Sequence, residues 1–479
     1  MKKLENTYFL FVIIALEGYI ILSAELLAMR MTIPFVGTGT DSVSVIIASV
    51  LMPLAAGYQS GGRFRLKHNG KHRTIREKLL RNVLIATCFL LPGLSYFIMQ
   101  FFFYFGLEQN GIENKLAQIV IYCLTFLVTP MYLLGQTVPL VSHYFSKRKL
   151  SEITGKMLFF STLGSFCGSL FTTLLLMQII GVHHTVSVLF VLLMVLTIIL
   201  TNKRHRSIFM AMFGIVMFSF ILNSDYVMKD ILNIVKNNKY STIMVISLNE
   251  EEEVDDNGAP HLFINNNDSS MYSQDGKKHN YVEFAEQLTI EALPENAPPA
   301  DVLIIGAGGF TFGHNDLKNN FVYLDIDKDL KEISETYLLK EKLQSNKSFY
   351  AEPARAYLSR TDKKFDIILL DAYLGGLSIP EHLVTQEFFY EIKDHLKNNG
   401  VLVANFILSP NFNNIFTKNI DNTFRSVFPY ISRHDTHDKY DVWTDSKTAN
   451  SNFMYIYKHY ENIGQPEIYR DTIATNRNN

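Results

Sequence analysis

The amino-acid sequence predicts an α-helical transmembrane bundle joined to a soluble α/β domain. Long apolar runs dominate the chain up to about Leu222, and an ordinary soluble composition follows. In this second part short apolar strands alternate with amphipathic helices, which is typical of an α/β domain. We expect a multi-pass transmembrane domain over residues 1–222, a small β element over 226–290 and the main α/β domain over 291–479.

The overall composition argues against several classes of protein. The 479-residue chain has a formal net charge of −2, so its charge gives no reason to expect nucleic-acid binding. The three cysteines, Cys88, Cys123 and Cys167, all lie in apolar runs. We interpret them as small packing residues and expect no disulfide framework.

Seven apolar segments are candidates for crossing a bilayer, which takes roughly 20 residues. The predicted spans are 8–29, 42–60, 82–104, 117–141, 157–180, 184–201 and 207–222, the last being the shortest. The first span follows Met1-Lys2-Lys3, as a signal peptide would. It is too long for one and contains Glu17 and Glu25, so we expect a retained membrane helix.

The distribution of Lys and Arg predicts the orientation of these spans. Residues 63–81 carry eight Lys/Arg, residues 147–156 carry four and residues 203–206 carry three. The positive-inside rule places these loops and the N-terminus in the cytoplasm of an inner-membrane protein. Seven full spans would then put the soluble domain outside, unless 207–222 does not fully cross. We expect the cytoplasmic side, because the metabolites that such a domain binds are made there.

Polar residues within the apolar half allow more than one interpretation. Glu17 and Glu25 indicate either a substrate or proton pathway or a structural contact, such as Glu25 with Arg30. His183 and His184 fall at a loop, and we interpret them as interfacial residues and not as metal ligands.

The small β element is predicted from two strands and a turn. Residues 240–248 and 261–265 are rich in β-branched and apolar residues, and Asn257-Gly258 between them indicates a hairpin turn. The acidic run Glu250–Asp256 is interpreted as a solvated loop and not as a metal site.

Five buried strands are predicted in the main domain. They are Asp301–Ile305, Phe321–Leu324, Lys347–Tyr350, Phe365–Leu370 and Val401–Phe406. Helices are predicted over 328–337 and 381–396, the second ending at Asn398-Asn399-Gly400. Unbroken apolar strands of this kind predict a parallel sheet that is covered on both faces.

Residues suited to binding a nucleoside follow the first four of these strands. Gly306, Ala307, Gly308 and Gly309 form a turn after the first strand, and glycines there let a ligand approach the backbone. Asp325, 19 positions after Gly306, ends the second strand and could accept hydrogen bonds from both ribose hydroxyls. Thr311 stands where a dinucleotide motif has its third glycine, which disfavours a dinucleotide cofactor.

Two further carboxylates complete the candidate site. Glu352 follows the third strand and could accept a hydrogen bond from an adenine amino group. Asp371 follows the fourth strand, where the reacting end of the ligand would lie. Because ligands of open α/β sheets bind beyond the carboxyl ends of the strands, the sequence predicts a nucleoside site there, without a metal.

Several segments resemble the spermidine synthase (polyamine aminopropyltransferase) family. In the second half these are VLIIGAGGF, YLDID, FDIILLDAY, IPEHLVTQEFF and GVLVANF. In the first half EGYIILSAELLAMR is similar to the membrane-fused spermidine-synthase-like proteins. The resemblance implies a Rossmann-like domain of the methyltransferase/spermidine synthase type, in a family that often forms homo-oligomers.

The resemblance also implies a reaction. An aminopropyl group would pass from decarboxylated S-adenosylmethionine to an amine, with Asp325 at the ribose, Glu352 near adenine and Asp371 as general base. Tyr240, Tyr281 and Tyr373 are the implied substrate-binding residues.

The sequence departs from the family pattern at four places. Gly309 stands where the family has an Asp that holds the cofactor's amino group, and Leu374 where it has a second active-site Asp. Tyr240-Ser241 replaces a Tyr-Gln pair, and Tyr281-Val282-Glu283 replaces Tyr-His-Glu. Fewer carboxylates disfavour putrescine as the acceptor.

Three functions therefore stay open. The chain is an aminopropyltransferase with this or another amine acceptor, an S-adenosylmethionine-dependent methyltransferase, or a non-catalytic nucleoside sensor on a transporter-like bundle. The bundle itself either anchors the enzyme in the lipid bilayer or transports a polyamine.

Overall fold

The computed structural model describes residues 7–64, 67–68, 71–72, 74–145, 150–201, 206–247, 258–373, 379–409, 411–436 and 451–459. It divides into two compact units. The helical unit comprises 1–246, 262–269 and 374–378, and the α/β unit comprises 247–261, 270–373 and 379–479. The predicted loop at Glu250–Asp256 and the position of Leu374 lie outside the described residues.

The helical unit is built from long apolar helices. They are α1 (Thr7–Val36), α2 (Thr40–Gly62), α3 (Ile75–Gly93), α4 (Tyr96–Asn110), α5 (Lys115–Phe145), α6 (Ser151–Ile179), α7 (Gly181–Leu200) and α8 (Arg206–Leu222). A short antiparallel pair, β1 (Lys67–His68) and β2 (Lys71–His72), lies between α2 and α3. Among the described residues, five helices are long and apolar enough to cross a membrane, or six if α3 and α4 count as one broken span.

The predicted span 82–104 is not one continuous helix. It is divided between α3 and α4, whose axes are bent by 63°. The break follows Pro92-Gly93, after which Ser95 has an extended backbone (φ −124°, ψ 117°) that no α-helix can contain. The apolar composition continues through the break, which is why the sequence pattern alone does not reveal it.

Small residues bring α1 and α6 into close contact. A Cβ atom on Gly164 would lie 2.0 Å from the carbonyl oxygen of Ala15, and one on Gly168 would lie 2.6 Å from that of Tyr19. Residues 15 and 19 of α1 thus face residues 164 and 168 of α6 in the same chain direction, so the two helices run parallel. Such small-residue contacts let helix backbones approach within van der Waals distance.

A small sheet contains four strands in the order β3-β4-β5-β6. They are β3 (Ile234–Asn237), β4 (Thr242–Ser247), β5 (Pro260–Ile264) and β6 (Asn267–Met271). The strands predicted over 240–248 and 261–265 are thus present as β4 and β5.

The large sheet of the α/β unit has seven strands in the order β12-β13-β11-β10-β7-β8-β9. The strands are β7 (Asp301–Ile305), β8 (Asn320–Asp325), β9 (Lys347–Ala351), β10 (Phe365–Leu370), β11 (Leu396–Leu408), β12 (Ile431–Asp435) and β13 (Ser451–Lys458). The accompanying helices are α9 (Asn280–Leu288), α10 (Leu330–Ile333, continued as a π-helical turn to Leu338), α11 (Ala354–Leu358), α12 (Gln386–Asp394) and α13 (Ile415–Val427).

The prediction of a purely parallel sheet is wrong at one edge. Strands β11, β10, β7, β8 and β9 are parallel, as expected, but β13 is antiparallel to both β11 and β12. Aromatic residues of β13 hold this edge to the core, since the ring of Tyr455 packs against Phe406 and Phe424 at centroid distances of 5.3 and 5.4 Å.

The second predicted helix of the α/β unit also ends earlier than expected. Helix α12 ends at Asp394, and Leu396 already begins β11. The register of β10 on β11 jumps from Phe365–Leu396 to Ile367–Val401, so the intervening residues form a bulge within the strand. Asn399 adopts φ 66°, which is compatible with such a bulge and not with a helix.

We predict that Gly164→Ala destabilises the helical unit by about 1–3 kcal/mol, because the added methyl group overlaps the carbonyl of Ala15. Gly155 lies on the same helix with nothing near its Cβ position, so Gly155→Ala is the matched control and should be neutral or slightly stabilising. Thermal unfolding in detergent measures both. Equal melting temperatures for the two variants would contradict the close α1–α6 contact.

Candidate functional site

The predicted site residues are brought together by the order of the strands. Strands β10, β7, β8 and β9 are neighbours in the sheet, with Leu370 paired to Ile305, Ile305 to Leu324 and Leu324 to Tyr350. All four strands end at the same edge. Along this edge the segments that follow them begin, in spatial order, at Asp371, Gly306, Asp325 and Glu352. This is the edge at which open parallel sheets bind ligands.

Gly306 joins two of these segments through its main chain. It has φ +95°, and its amide donates to the carbonyl of Leu324 at 3.0 Å. A Cβ atom at this position would lie 2.0 Å from the carbonyl oxygen of Asp371. Both the positive φ and this contact require glycine, so the turn after β7 and the turn after β10 can only coexist with no side chain between them.

The connection from β7 to β8 contains no helix over residues 306–319, all of which the structure describes. Dinucleotide-binding folds place a pyrophosphate on the helix N-terminus that follows such a glycine turn. No helix begins in this segment, so it offers no such N-terminus to a pyrophosphate.

A buried ion pair holds this long turn in place. Glu286 of α9 accepts hydrogen bonds from the Lys278 ammonium and from the amide of Gly313, each at 2.6 Å. Both charged side chains are buried. The hydroxyl of Tyr323 on β8 adds a bond to the carbonyl of Phe312 at 2.7 Å. The turn is therefore fixed by side chains from α9 and β8 in place of helical hydrogen bonds.

The space around Gly309 is filled by protein atoms. Its amide donates to Ser270 Oγ at 2.8 Å. A Cβ atom on Gly309 would lie 2.7 Å from Ser270 Cβ and 2.3 Å from a methyl group of Leu338. An Asp here, as in the family pattern, would need Ser270 and Leu338 to move.

Asp325 is held by backbone amides at the end of β8. Its two carboxylate oxygens accept from the amides of Ala307 at 3.3 Å and Asp327 at 3.0 Å. Burial raises the pKa of Asp325 to about 6. The carboxylate is therefore ionised at neutral pH, and it links the glycine turn to the end of β8, where ribose hydroxyls could donate to it.

Glu352 follows β9 and is paired with a neighbouring cation. One of its carboxylate oxygens accepts a hydrogen bond from the Arg360 guanidinium. Its side chain is 18% exposed. The predicted adenine contact would have to form beside this ion pair.

Asp371 is the carboxylate with the most specific surroundings. Asn405 on β11 donates to Asp371 Oδ1 at 3.0 Å, and the hydroxyl of Tyr281 on α9 also bonds to the carboxylate. Burial raises the pKa of Asp371, although these two bonds and the nearby His279 act to lower it. A half-buried carboxylate with a raised pKa is a better proton acceptor than a fully exposed one, which suits a general base.

The three predicted substrate-binding tyrosines have different surroundings. Tyr281 contacts Asp371 and is stacked with His279, with ring centroids 5.9 Å apart. The hydroxyl of Tyr373 accepts from the amide of Ile407 at 2.7 Å and donates to the carbonyl of Asn405 at 3.2 Å, so it is used to fix the segment after β10 to β11. Tyr240 belongs to the helical unit, where Lys239 Nζ lies 4.7 Å from its ring centroid.

Several residues of the site were not predicted from the sequence. Asn405 is a polar residue at the end of an apolar strand, and that contrast is a signal that could have identified it. His279 lies two positions before Tyr281, at the start of α9. Ser270 bonds to Gly309 and Glu286 bonds to Gly313, while Lys278 pairs with Glu286. These three residues come from distant parts of the sequence and have no local pattern that marks them.

Comparison with known proteins finds similarity in the second half of the chain. Residues 283–436 match the family model described as the spermine/spermidine synthase domain. The polyamine aminopropyltransferase of Vibrio vulnificus (strain CMCP6) is 36% identical over 132 residues, which are 25% of this chain and 42% of that protein. Polyamine aminopropyltransferase 1 of Aquifex aeolicus (strain VF5) is 29% identical over 158 residues, covering 32% of this chain and 55% of that protein. The chain thus spans about half the length of these curated relatives.

Two spermidine synthases are among the solved structures that the comparison matches to this chain. A probable spermidine synthase from Corynebacterium glutamicum ATCC 13032 has a TM-score of 0.37 at 16% identity, covering 48% of this chain and 81% of that chain. The spermidine synthase from Thermotoga maritima has a TM-score of 0.35 at 16% identity, covering 50% of this chain and 81% of that chain.

We predict that Tyr373→Phe destabilises the α/β unit locally by about 1–2 kcal/mol, because the amide of Ile407 loses its hydrogen-bond acceptor. Hydrogen exchange of the peptide spanning β11 measures the effect. Tyr390→Phe, at an exposed tyrosine, is the control and should leave exchange unchanged. Unchanged protection of β11 in Tyr373→Phe would assign the hydroxyl to substrate binding instead.

Proposed function

We propose that the α/β unit is an aminopropyltransferase of polyamine biosynthesis, on the premise that residues 283–436 match the spermine/spermidine synthase domain. Its co-substrate is decarboxylated S-adenosylmethionine and its acceptor is an amine. The observation that carries the proposal is the position of Asp371: a half-buried carboxylate held by Asn405 and Tyr281, on the same sheet edge as Asp325.

In the proposed reaction the acceptor amine attacks the aminopropyl carbon that is bonded to the sulfonium sulfur. A carbon–nitrogen bond forms, the carbon–sulfur bond breaks, and the electron pair stays on sulfur in the methylthioadenosine that leaves. The amine loses one proton, which Asp371 accepts. Because the chemistry is a single displacement, positioning the two reactants supplies much of the rate enhancement.

The residues around Asp371 fit the role of a proton acceptor. The NH₂ group of Asn405 donates a hydrogen bond to Asp371 Oδ1 and so fixes this oxygen. The second carboxylate oxygen of Asp371, Oδ2, is left for Tyr281 or the substrate. Burial favours the protonated acid and thereby raises the basicity of the carboxylate. Tyr373, through its two bonds to the β11 backbone, holds the segment that carries Asp371.

An acceptor other than putrescine is favoured by the composition of the site. Gly309 and Leu374 stand at two positions where the family pattern has carboxylates. There is no room for a carboxylate side chain at position 309, because Ser270 and Leu338 occupy the space beside Gly309. Because the family's Asp at position 309 holds the co-substrate, it is from the loss at Leu374 that we propose an acceptor with fewer positive charges than a diamine.

Methyl transfer from S-adenosylmethionine is the second candidate. The observation that favours it is again Gly309: the family's Asp at this position holds the amino group of the co-substrate, so its loss is compatible with a different tail. Asp325 would hold the ribose in either case. The two reactions differ in their nucleoside product, methylthioadenosine or S-adenosylhomocysteine.

We also propose that the helical unit spans a membrane and that the chain leaves it at the face opposite the basic loops. The rings of Phe11 and Phe145 are 5.5 Å apart, which places the start of α1 beside the end of α5, next to the basic loop 147–156. At the other end of α1, Arg30 donates to the carbonyl of Asn238 at 2.8 Å. The segment after α8 thus lies at the end of α1 that is remote from this loop.

The order of helices supports the same course. The hydroxyl of Tyr122 near the start of α5 donates to the carbonyl of Gly93 at 2.7 Å, so α3 ends and α5 begins at one face. Helix α4 then lies between two points on that face and adds no net crossing. We therefore propose seven crossings, by α1, α2, α3, α5, α6, α7 and α8, which counts α3 without α4 and the 17-residue α8 in addition to the five long helices. With the basic loops inside, this favours the outer side for the soluble segment, against the expectation drawn from cofactor supply.

The enzymatic proposal is tested by incubating the full chain with decarboxylated S-adenosylmethionine and a panel of amines. The pH is kept well above 6 so that Asp325 is ionised. We expect methylthioadenosine by mass spectrometry, reduced at least about 100-fold by Asp371→Asn. Asp366→Asn is the control, because this carboxylate lies at the other end of β10 and pairs with Lys397 at 2.8 Å.

Two outcomes would oppose aminopropyl transfer. S-Adenosylhomocysteine formed from S-adenosylmethionine, without methylthioadenosine, would assign methyl transfer. If either form of S-adenosylmethionine binds equally well to the unaltered chain and to Asp371→Asn, and neither gives a product, the α/β unit would be assigned as a sensor.

Cysteine labelling tests the course of the chain. In a chain whose three cysteines are replaced by serine, we introduce Cys at His143, near the end of α5, or at Tyr226, after α8; both positions are exposed. We expect a membrane-impermeant maleimide to label the Tyr226→Cys chain in intact cells and the His143→Cys chain only after lysis. The same accessibility at both positions would mean an even number of crossings.

A further inference from the structure

A cavity of about 230 Å³ lies in the helical unit, remote in sequence from the residues of the nucleoside site. It is formed where α6 ends and α7 begins, and the segment after α8 and strand β3 complete its walls. Gln178, His183, His184, Asp225 and Lys229 are among its polar lining residues. None of these takes part in the chemistry proposed for the α/β unit.

Three metal-ligating groups meet at this cavity. The Nε2 atoms of His183 and His184 lie 3.1 and 3.3 Å from the same oxygen, Asp225 Oδ1. The three ligand atoms all lie within 4.8 Å of one another. The two imidazole rings have centroids 4.1 Å apart and an interplanar angle of 45°, so neighbouring residues on α7 direct both rings to one point.

These separations match those required by a tetrahedral metal ion. Zn²⁺ bonds to imidazole nitrogen and carboxylate oxygen at about 2.0–2.2 Å, which puts adjacent tetrahedral ligand atoms roughly 3.3 Å apart. The two nitrogen–oxygen distances of 3.1 and 3.3 Å are therefore already close to this value. A simple hydrogen-bonded pair would need only one of the two imidazoles at the carboxylate.

The local fold positions the ligands before any ion binds. Gly181, with φ +82°, makes the turn from α6 to α7 and lies against the carbonyl of Asn237 on β3. This contact fixes the first turn of α7, from which both imidazoles project. His183 is largely buried, with 12% of its side chain exposed, whereas Asp225 is exposed at 63%. An ion could therefore enter past Asp225 and meet a rigid pair of nitrogens.

We propose that His183, His184 and Asp225 bind one Zn²⁺ ion through three protein ligands. The expectation that the two histidines fall at a loop is wrong, since both lie in the first turn of α7, and the proposal gives them a ligand role in place of an interfacial one. Three protein ligands leave a fourth position for water or an anion, as in zinc sites that bind exchangeable ligands. Lys229 lines the same cavity, and its positive charge favours an anionic fourth ligand and disfavours a second cation.

The identity of the metal follows from the ligand set. Two imidazoles and one carboxylate suit Zn²⁺ and its transition-metal neighbours, whereas Mg²⁺ and Ca²⁺ prefer oxygen ligands alone. Co²⁺, which takes the same tetrahedral geometry, is a suitable spectroscopic substitute. All three proposed Zn²⁺ ligands belong to the helical unit. The proposed zinc site can therefore be tested separately from the proposed transferase activity.

The test uses the full chain in detergent, stripped of metal with a chelator and titrated with ZnCl₂ by calorimetry. We expect one high-affinity Zn²⁺ per chain, and an affinity at least about 100-fold weaker in Asp225→Asn. Because Asp225 is exposed, this variant should fold normally. His184→Ala is the second ligand variant, and melting temperatures without metal verify that both are folded.

His143→Ala is the matched control. His143 is an exposed histidine near the end of α5, and its loss should leave Zn²⁺ affinity and stoichiometry unchanged. Co²⁺ absorption of tetrahedral intensity, lost in Asp225→Asn and His184→Ala but kept in His143→Ala, would support the site. Less than one Zn²⁺ per chain at micromolar concentration, or equal binding by Asp225→Asn and the unaltered chain, would overturn the proposal.

Discussion

The contact between Gly306 and the main chain of Asp371 is the constraint on which the candidate site depends. Neighbouring strands β7 and β10 turn away from the sheet at the same edge, and their turns occupy a space that no Cβ atom could share. The position of the Asp371 backbone is therefore set by the sheet itself. Asn405 from β11 and Tyr281 from α9 then orient its side chain. The carboxylate is thus positioned by groups from three elements.

The two carboxylates of the site differ in how they are held, and this separates their roles. Burial raises the pKa of both Asp325 and Asp371, which disfavours their charged forms. For Asp325 the pKa rises from 3.8 to about 6 in the fold, so folding takes up a proton between these two pH values. The stability that Asp325 contributes is therefore fully present below pH 3.8, falls as the pH rises to about 6 and does not fall further above that. Hydroxyl groups of a bound ribose would donate to the ionised carboxylate and offset this cost. Asp325 is therefore suited to binding and Asp371 to accepting a proton.

Much of this edge could be predicted from the sequence, because short apolar strands with polar residues at their ends have few other structural explanations. The bounds of β7 and β10 agree with the prediction at both ends. Strand β12 could not be predicted, since its sequence Ile-Ser-Arg-His-Asp has neither an apolar run nor an alternating pattern. Its place comes from pairing with β13, which is a non-local interaction. The bulge at Asn399 likewise depends on the register with β10, and the apolar composition that predicts one span continues on both sides of the bend after Gly93.

The absence of a carboxylate at Gly309 involves the neighbouring residues as well as position 309 itself. Ser270 occupies the direction in which a side chain would extend and bonds to the Gly309 amide, while Leu338 closes the other side. An Asp at this position would overlap Ser270 and Leu338 before any ligand was bound. Moving Ser270 aside to make room would break its hydrogen bond with the amide of residue 309. A site that recognised the amino group of a nucleoside tail through residue 309 would need different residues at all three positions. The packing of this pocket thus agrees with a ligand tail that is recognised elsewhere, and specificity for it must come from other residues along the same sheet edge.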